Sequence, residues 1–136
     1  MDLKQLSQDY VDDAKALLAA HRWAAAYYLA GYSVECGLKA CVINRVHQTG
    51  ILFESKKFAN DCFTHELDDL IDLADLRIDL EKESGTNPAL ATNWALTKDW
   101  SVQARYHPKS EQLAKELSAA IFDTTNGVLP WIQKHW

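Results

Sequence analysis

Ala24-Ala25-Ala26-Tyr27-Tyr28-Leu29-Ala30-Gly31-Tyr32-Ser33-Val34-Glu35-Cys36-Gly37-Leu38-Lys39-Ala40 is the stretch on which the fold turns. It holds no proline and is dominated by residues that lose little on entering a helix. The same character runs from Trp23 to about His47, which predicts one long helix packed on several sides rather than along a single stripe. Gly31 and Gly37 each cost such a helix about 1 kcal/mol relative to alanine, so close contact with a neighbouring element is expected at both.

Outward from this helix the pattern stays helical. Upstream, Leu3, Leu6, Tyr10, Ala14 and Leu17 recur at helical spacing with charged residues between them, giving an amphipathic first helix that ends near His21-Arg22. Downstream, Gln48 to Thr64 loses periodicity and reads as a connection with one short helical turn. Thr64 is placed to cap a third helix with Leu67, Leu70, Ile71, Ala74 and Ile78 on its buried face, fading near Ser84-Gly85. Asn87-Pro88 starts a shorter helix to about Asp99, and Arg105-Tyr106-His107-Pro108 forms a tight break. Ser110, Leu113, Leu117, Ala120, Ile121 and Thr124 outline a last helix, interrupted by Gly127 and Pro130 before Trp131 and Ile132. The expectation is a single all-α domain over 1–136, an up-and-down four-helix bundle with an additional short helix.

Composition narrows the function classes. With 136 residues, 48% of them hydrophobic and 24% charged, the chain is long enough for one buried core. The net charge of −5 provides no global attraction for nucleic acid, so any RNA contact must be local. No apolar run is long enough to span a bilayer, and the first residues lack the basic and apolar regions of a signal peptide; a cytoplasmic location without membrane contact is expected. Cys36, Cys41 and Cys62 form no CxxC pair and read as structural thiols.

The chemistry-bearing residues gather on one side of the second helix. Tyr28, Tyr32, Glu35 and Lys39 are spaced four, three and four apart and therefore share a face. A carboxylate entering a core requires a partner, and Arg105 is the expected one, reaching Glu35 across the bundle. Such a pair serves either as a structural clasp or as part of a site. In the second case Arg105 would hold a phosphate, Tyr106 or Tyr32 would stack on a base, and His107 would move a proton near neutral pH. RNA cleavage of this kind requires no metal, because the 2′-hydroxyl is the nucleophile.

The 24–40 stretch, together with Thr64-His65-Glu66-Leu67-Asp68-Asp69-Leu70 and the span from Trp100 to Arg105-Tyr106, resembles the HEPN superfamily in its prokaryotic form. The resemblance reaches from the first helix to Leu129-Pro130-Trp131-Ile132. It implies a helical bundle, a homodimer, and a minimal nucleotidyltransferase as partner protein in a two-gene toxin-antitoxin or defence system. HEPN ribonucleases use an Arg followed by a His after four to six residues. This sequence departs from that pattern, with only Tyr106 between Arg105 and His107 and only Val46 between Arg45 and His47. The resemblance therefore implies nucleotide or partner binding as strongly as cleavage.

The remaining candidates have plainer roles. His65 is expected to join the cap of the third helix, and His21, His47 and His135 lie at helix ends or in the tail. No set of His, Cys and acidic residues has metal-ligand spacing, so neither a metal nor a cofactor is expected. Glu66, Asp68, Asp69, Asp72, Asp75 and Asp79 read as a solvated helix face, and Trp94, Trp100, Trp131 and Trp136 as core or dimer-interface aromatics. Three functions stay open: a nucleotide- or RNA-binding subunit, a metal-independent endoribonuclease using Arg105 and His107, and a non-catalytic interaction module.

Overall fold

The computed structural model describes residues 1–136 and is all-α. Helix α1 (Leu3–Ala19) and helix α2 (Trp23–Thr49) form a hairpin. Helices α3 (Ile51–Glu54) and α4 (Lys56–Asp61) fill the connection, where one short turn was expected. Then follow α5 (Leu67–Leu73), α6 (Arg77–Thr86) and α7 (Pro88–Thr97). A 3-10 turn (Val102–Tyr106), α8 (Glu111–Phe122) and α9 (Val128–Gln133) complete the chain. No helix is long and apolar enough to cross a membrane.

Local chemistry sets most boundaries. The Asp2 carboxylate accepts from the Lys4 and Gln5 amides to start α1, and Ser110 accepts from the Leu113 amide to start α8. Asn87 caps α7 through the Leu90 amide, with Pro88 in the first turn where its missing N–H costs nothing. Helix α1 ends in a Schellman motif: His21 takes a left-handed φ of 59°, and the Arg22 amide returns to the Leu17 carbonyl at 2.8 Å.

The same motif breaks the expected third helix in two. Asp75 adopts φ 59°, and the Leu76 amide bonds the Ile71 carbonyl at 2.9 Å, so α5 stops and α6 leaves in a new direction. Leu67, Leu70, Ile71 and Ala74 are buried as expected, but Ile78, beyond the break, is 67% exposed. Thr64 does not cap the helix itself; its hydroxyl accepts the amide of Glu66, the residue just before α5, and Glu66 occupies the cap without a side-chain bond. In the last helix, Leu113 is exposed and Ala114, Leu117, Ala120 and Ile121 supply the buried face; Thr124 lies beyond its end.

Helix α2 is the hub, with α1, α5, α8, α9 and the 3-10 turn all packed against it. Ala26, Ala30, Val34, Leu38 and Cys41 on α2 are buried, and Ser7 of α1 donates a hydrogen bond to the Ser33 carbonyl at 2.7 Å across the hairpin. The two helical glycines have the roles their cost required. Gly37 faces Ile132 and Leu129 of α9, while Gly31 lies under the indole of Trp100, which is 1% exposed. Trp94, Trp100 and Trp131 are core residues.

A Cβ at position 31 would come within 2.3 Å of the Trp100 ring, closer than any real contact, and the ring is walled in. Gly31→Ala is expected to destabilise the protein by at least about 2 kcal/mol despite its better helix propensity, as read by urea unfolding. A neutral or stabilising result would contradict the Trp100 packing.

Candidate functional site

The stripe on α2 is present, but its partners differ from those expected. Glu35 is 2% exposed, and Arg105 is not its counter-ion. Glu35 Oε2 lies 3.4 Å from Lys39 Nζ one turn along the same helix, and Oε1 lies 2.9 Å from His65 Nδ1. His65 therefore does not join the helix cap; its ring turns back from the segment before α5 to the buried carboxylate. Lys39 was within reach from the start, because residues four apart on a helix face each other. Burial of the carboxylate supplied the need for a second donor, and the tertiary position of the α4–α5 connection supplied His65.

Arg105 instead sits on the surface at the end of the 3-10 turn, its guanidinium 4.7 Å from the centre of the Tyr106 ring. The Tyr106 hydroxyl, and after it that of Tyr28, favours the charged form and raises the Arg105 pKa further. His107 is exposed in extended backbone just beyond the turn.

Trp100 joins the two halves of the stripe. Its ring lies 5.8 Å from Tyr28 and 6.3 Å from Tyr32, and Tyr32 also meets Tyr10 of α1 edge-on at 5.0 Å. Burial, and then the charge of Glu35, pushes the Tyr32 hydroxyl pKa upward, so Tyr32 stays neutral.

A groove of about 590 Å³ opens between the start of α2 and the segment after the 3-10 turn. Arg105 and Tyr28 line it together with His21, Arg22, Trp23 and Lys109. No acidic side chain lines it. The groove is also bounded by Ala24 and Ala25 in the first turn of α2, which carries neither a side-chain cap nor an acidic residue, so the positive end of the longest helix faces the same space. His21 stacks on Trp23 at 5.1 Å, Lys109 lies 4.8 Å above Tyr27, and Lys115 lies 5.6 Å above Trp23. Three cations and two aromatic rings in one concavity can hold an anionic group bearing a flat ring. A comparable hollow of about 560 Å³ between α4 and α5 is lined by Asp61, Asp69 and Asp72 with one cation, Lys57, which is paired with Asp61, so its lining is acidic on balance.

No family model, curated protein or solved structure matches this chain.

Of the candidates named from the sequence, Tyr28 and Arg105 meet in the groove, Tyr32 lies behind them next to Trp100, and Glu35 and Lys39 form a separate cluster with His65. Tyr106 stacks under Arg105, and His107 does not line the groove. Arg22, Trp23 and Lys109 went unnoticed because each is an isolated residue at a helix end, and no periodicity ties positions 22–23 to position 109. The acidic run is exposed, except that Arg77 gathers Asp68 and Asp72 at 3.0 and 2.9 Å; its hydrogen bond holds the Asp72 carboxyl below the ordinary range.

Burial, then the Glu35 charge, pushes the Cys36 thiol up to about 12, and burial pushes Cys41 up to about 12 as well. Iodoacetamide at pH 8 is expected to spare both in the native protein and to label them only after denaturation. Rapid native labelling of Cys36 would contradict its packing. The ion-pair assignment makes a second prediction. Lys39→Ala combined with His65→Ala strands the buried Glu35 carboxylate and is expected to cost about 3 kcal/mol by urea unfolding. Arg105→Ala is expected to leave the unfolding midpoint unchanged. The reverse ranking would restore Arg105 as the clasp.

Proposed function

We propose that this chain is a nucleotide- or RNA-binding module of HEPN type, with phosphate held in the groove at the start of α2. The observation that carries the reading is the co-location of Arg22, Arg105 and Lys109 with Trp23 and Tyr28, in a groove without an acidic lining, on a chain whose net charge is −5. Local concentration of cations provides what the overall charge withholds. Arg105 provides two parallel donors for phosphate oxygens, Lys109 and Arg22 provide further charge, and the rings of Trp23 and Tyr28 provide stacking surface for a base.

The resemblance of the 24–40 stretch supports the HEPN assignment and, with it, a homodimer and a nucleotidyltransferase partner in a toxin-antitoxin or defence setting. Phe53 and Phe63, 92% and 79% exposed, are not among the residues lining the groove and offer a partner chain apolar surface.

Single-stranded RNA of mixed sequence, titrated against the protein, is expected to quench Trp23 fluorescence and to bind with a strong salt dependence. Arg105→Ala together with Lys109→Ala is expected to weaken binding at least about tenfold and to reduce the slope of log K against log salt by about 1.4, two phosphate contacts' worth on a single strand. Unchanged affinity and slope in the double variant would remove the groove from the function.

A further inference from the structure

The groove at the start of α2 gathers more positive charge than one internal phosphate of a strand can use. Arg22, Arg105 and Lys109 line it, and no acid does. An internal phosphodiester brings a single negative charge and two free oxygens. A terminal phosphate monoester, whose second pKa is about 6, brings about 1.5 to 2 negative charges at pH 7 and three strong acceptor oxygens. The backbone adds donors to the same space. Trp23, Ala24 and Ala25 open α2 and line the groove, and their amides have no partner in the chain. The Arg22 amide before them returns to the Leu17 carbonyl, and the next bonded amide is that of Ala26, on the Arg22 carbonyl. Ala24 and Ala25 carry only methyl groups, so a phosphate oxygen can come close to these N–H groups.

Acids border these cations. Lys109 Nζ lies 4.8 Å above the Tyr27 ring, and burial, then the charge of Asp99, raises the Tyr27 hydroxyl pKa, which puts the Asp99 carboxylate near that ring. Lys115, 5.6 Å above Trp23, is tied to Glu111 at 2.7 Å. The hydrogen bond from Lys115, with a smaller contribution from His21, holds the Glu111 carboxyl below its ordinary range, so a second carboxylate stands near the His21 side of the groove. A bound strand neutralises its successive phosphates on successive cations, and a phosphate passing either acid is repelled. The surroundings therefore favour one highly charged phosphate over a run of singly charged ones.

We propose that the groove selects the terminal phosphate monoester of a nucleotide, on the end of an RNA strand or on a free mononucleotide, over the internal phosphodiesters of a strand; this rests on the phosphate binding proposed for the groove and adds which phosphate is held. Arg105 takes two of the oxygens side by side, and Arg22 and the opening amides of α2 take the third. Lys109 offsets the second charge. The nucleoside lies against the aromatic wall of Tyr28 and Trp23. Diesters are disfavoured because they leave one cation and the helix amides without an oxygen to bind.

The test titrates the full chain, by fluorescence anisotropy, with one short single-stranded RNA carrying a 5′-phosphate, a 3′-phosphate, hydroxyl groups at both ends, or the methyl ester of either terminal phosphate. A monoester at one end is expected to tighten binding at least about tenfold over the hydroxyl-ended strand, and its methyl ester, which keeps the phosphorus but loses the second charge, to lose most of that gain. The end that gives the gain, and competition by free nucleoside monophosphates where the nucleosides fail, separate a strand terminus from a mononucleotide as the source. Arg22→Gln, checked for folding, is expected to lower the ratio of monoester-ended to hydroxyl-ended affinity, which a general loss of structure would not do. An unchanged ratio in that variant overturns the placement of the terminal phosphate at the start of α2. A gain below tenfold at both ends, or an equal gain from the methyl ester, overturns the selection and leaves strand binding in the groove standing. Absence of binding to every RNA and mononucleotide overturns both.

Discussion

The contact between Trp100 and Gly31 is the constraint on which the rest of the structure hangs. A full indole ring lies on the backbone of α2 at the one position where that helix has no side chain to hold it off. The indole N–H meets no protein acceptor, so the ring is held by dispersion and by exclusion of water rather than by direction. This packing draws the segment after α7 onto α2 and carries the 3-10 turn with it. Arg105 reaches the groove because Trp100, five residues earlier, is anchored. Tyr28 and Tyr32 flank the same ring, so the aromatic stripe and the cationic turn share one support.

A second constraint is electrostatic. Burial of Glu35 in the hub helix is tolerable only with donors close by, and the two it has are of different origin. Lys39 comes from the helix itself, whereas His65 comes from thirty residues away and holds the start of α5 against α2. The acid that threatens the core thereby tethers a connection to it. The exposed acids Asp68, Asp69, Asp72 and Asp79 belong to α5 and α6, whereas Arg22, Arg105 and Lys109 line the groove that opens at the start of α2. The chain separates its charges, so a net acidic protein presents a basic concavity at one end.

The groove depends on two chain reversals. The Schellman motif at His21 brings the His21 ring against Trp23 and leaves the first turn of α2 uncapped. The extended residues after the 3-10 turn bring Pro108 and Lys109 to the same mouth. Neither reversal has a glycine to announce it. His21 and Asp75 both take the left-handed conformation, which short polar and imidazole side chains tolerate better than most. That is why the break between α5 and α6 was not legible, although the apolar period on either side of it was.

Helical class, the long α2, the positions of Gly31 and Gly37 as close contacts, and the single face bearing Tyr28, Tyr32, Glu35 and Lys39 follow from the amino-acid order alone. Each depends on spacing within one helix, and the 3.6-residue turn converts spacing into direction without reference to the rest of the chain. The choice of His65 over Arg105 as the partner of Glu35, and the meeting of Arg22 and Trp23 with Arg105 and Lys109, were decided only by tertiary structure. Both join segments separated by thirty or more residues, and which of several available cations reaches a buried carboxylate depends on how the connections are packed, which no local pattern encodes.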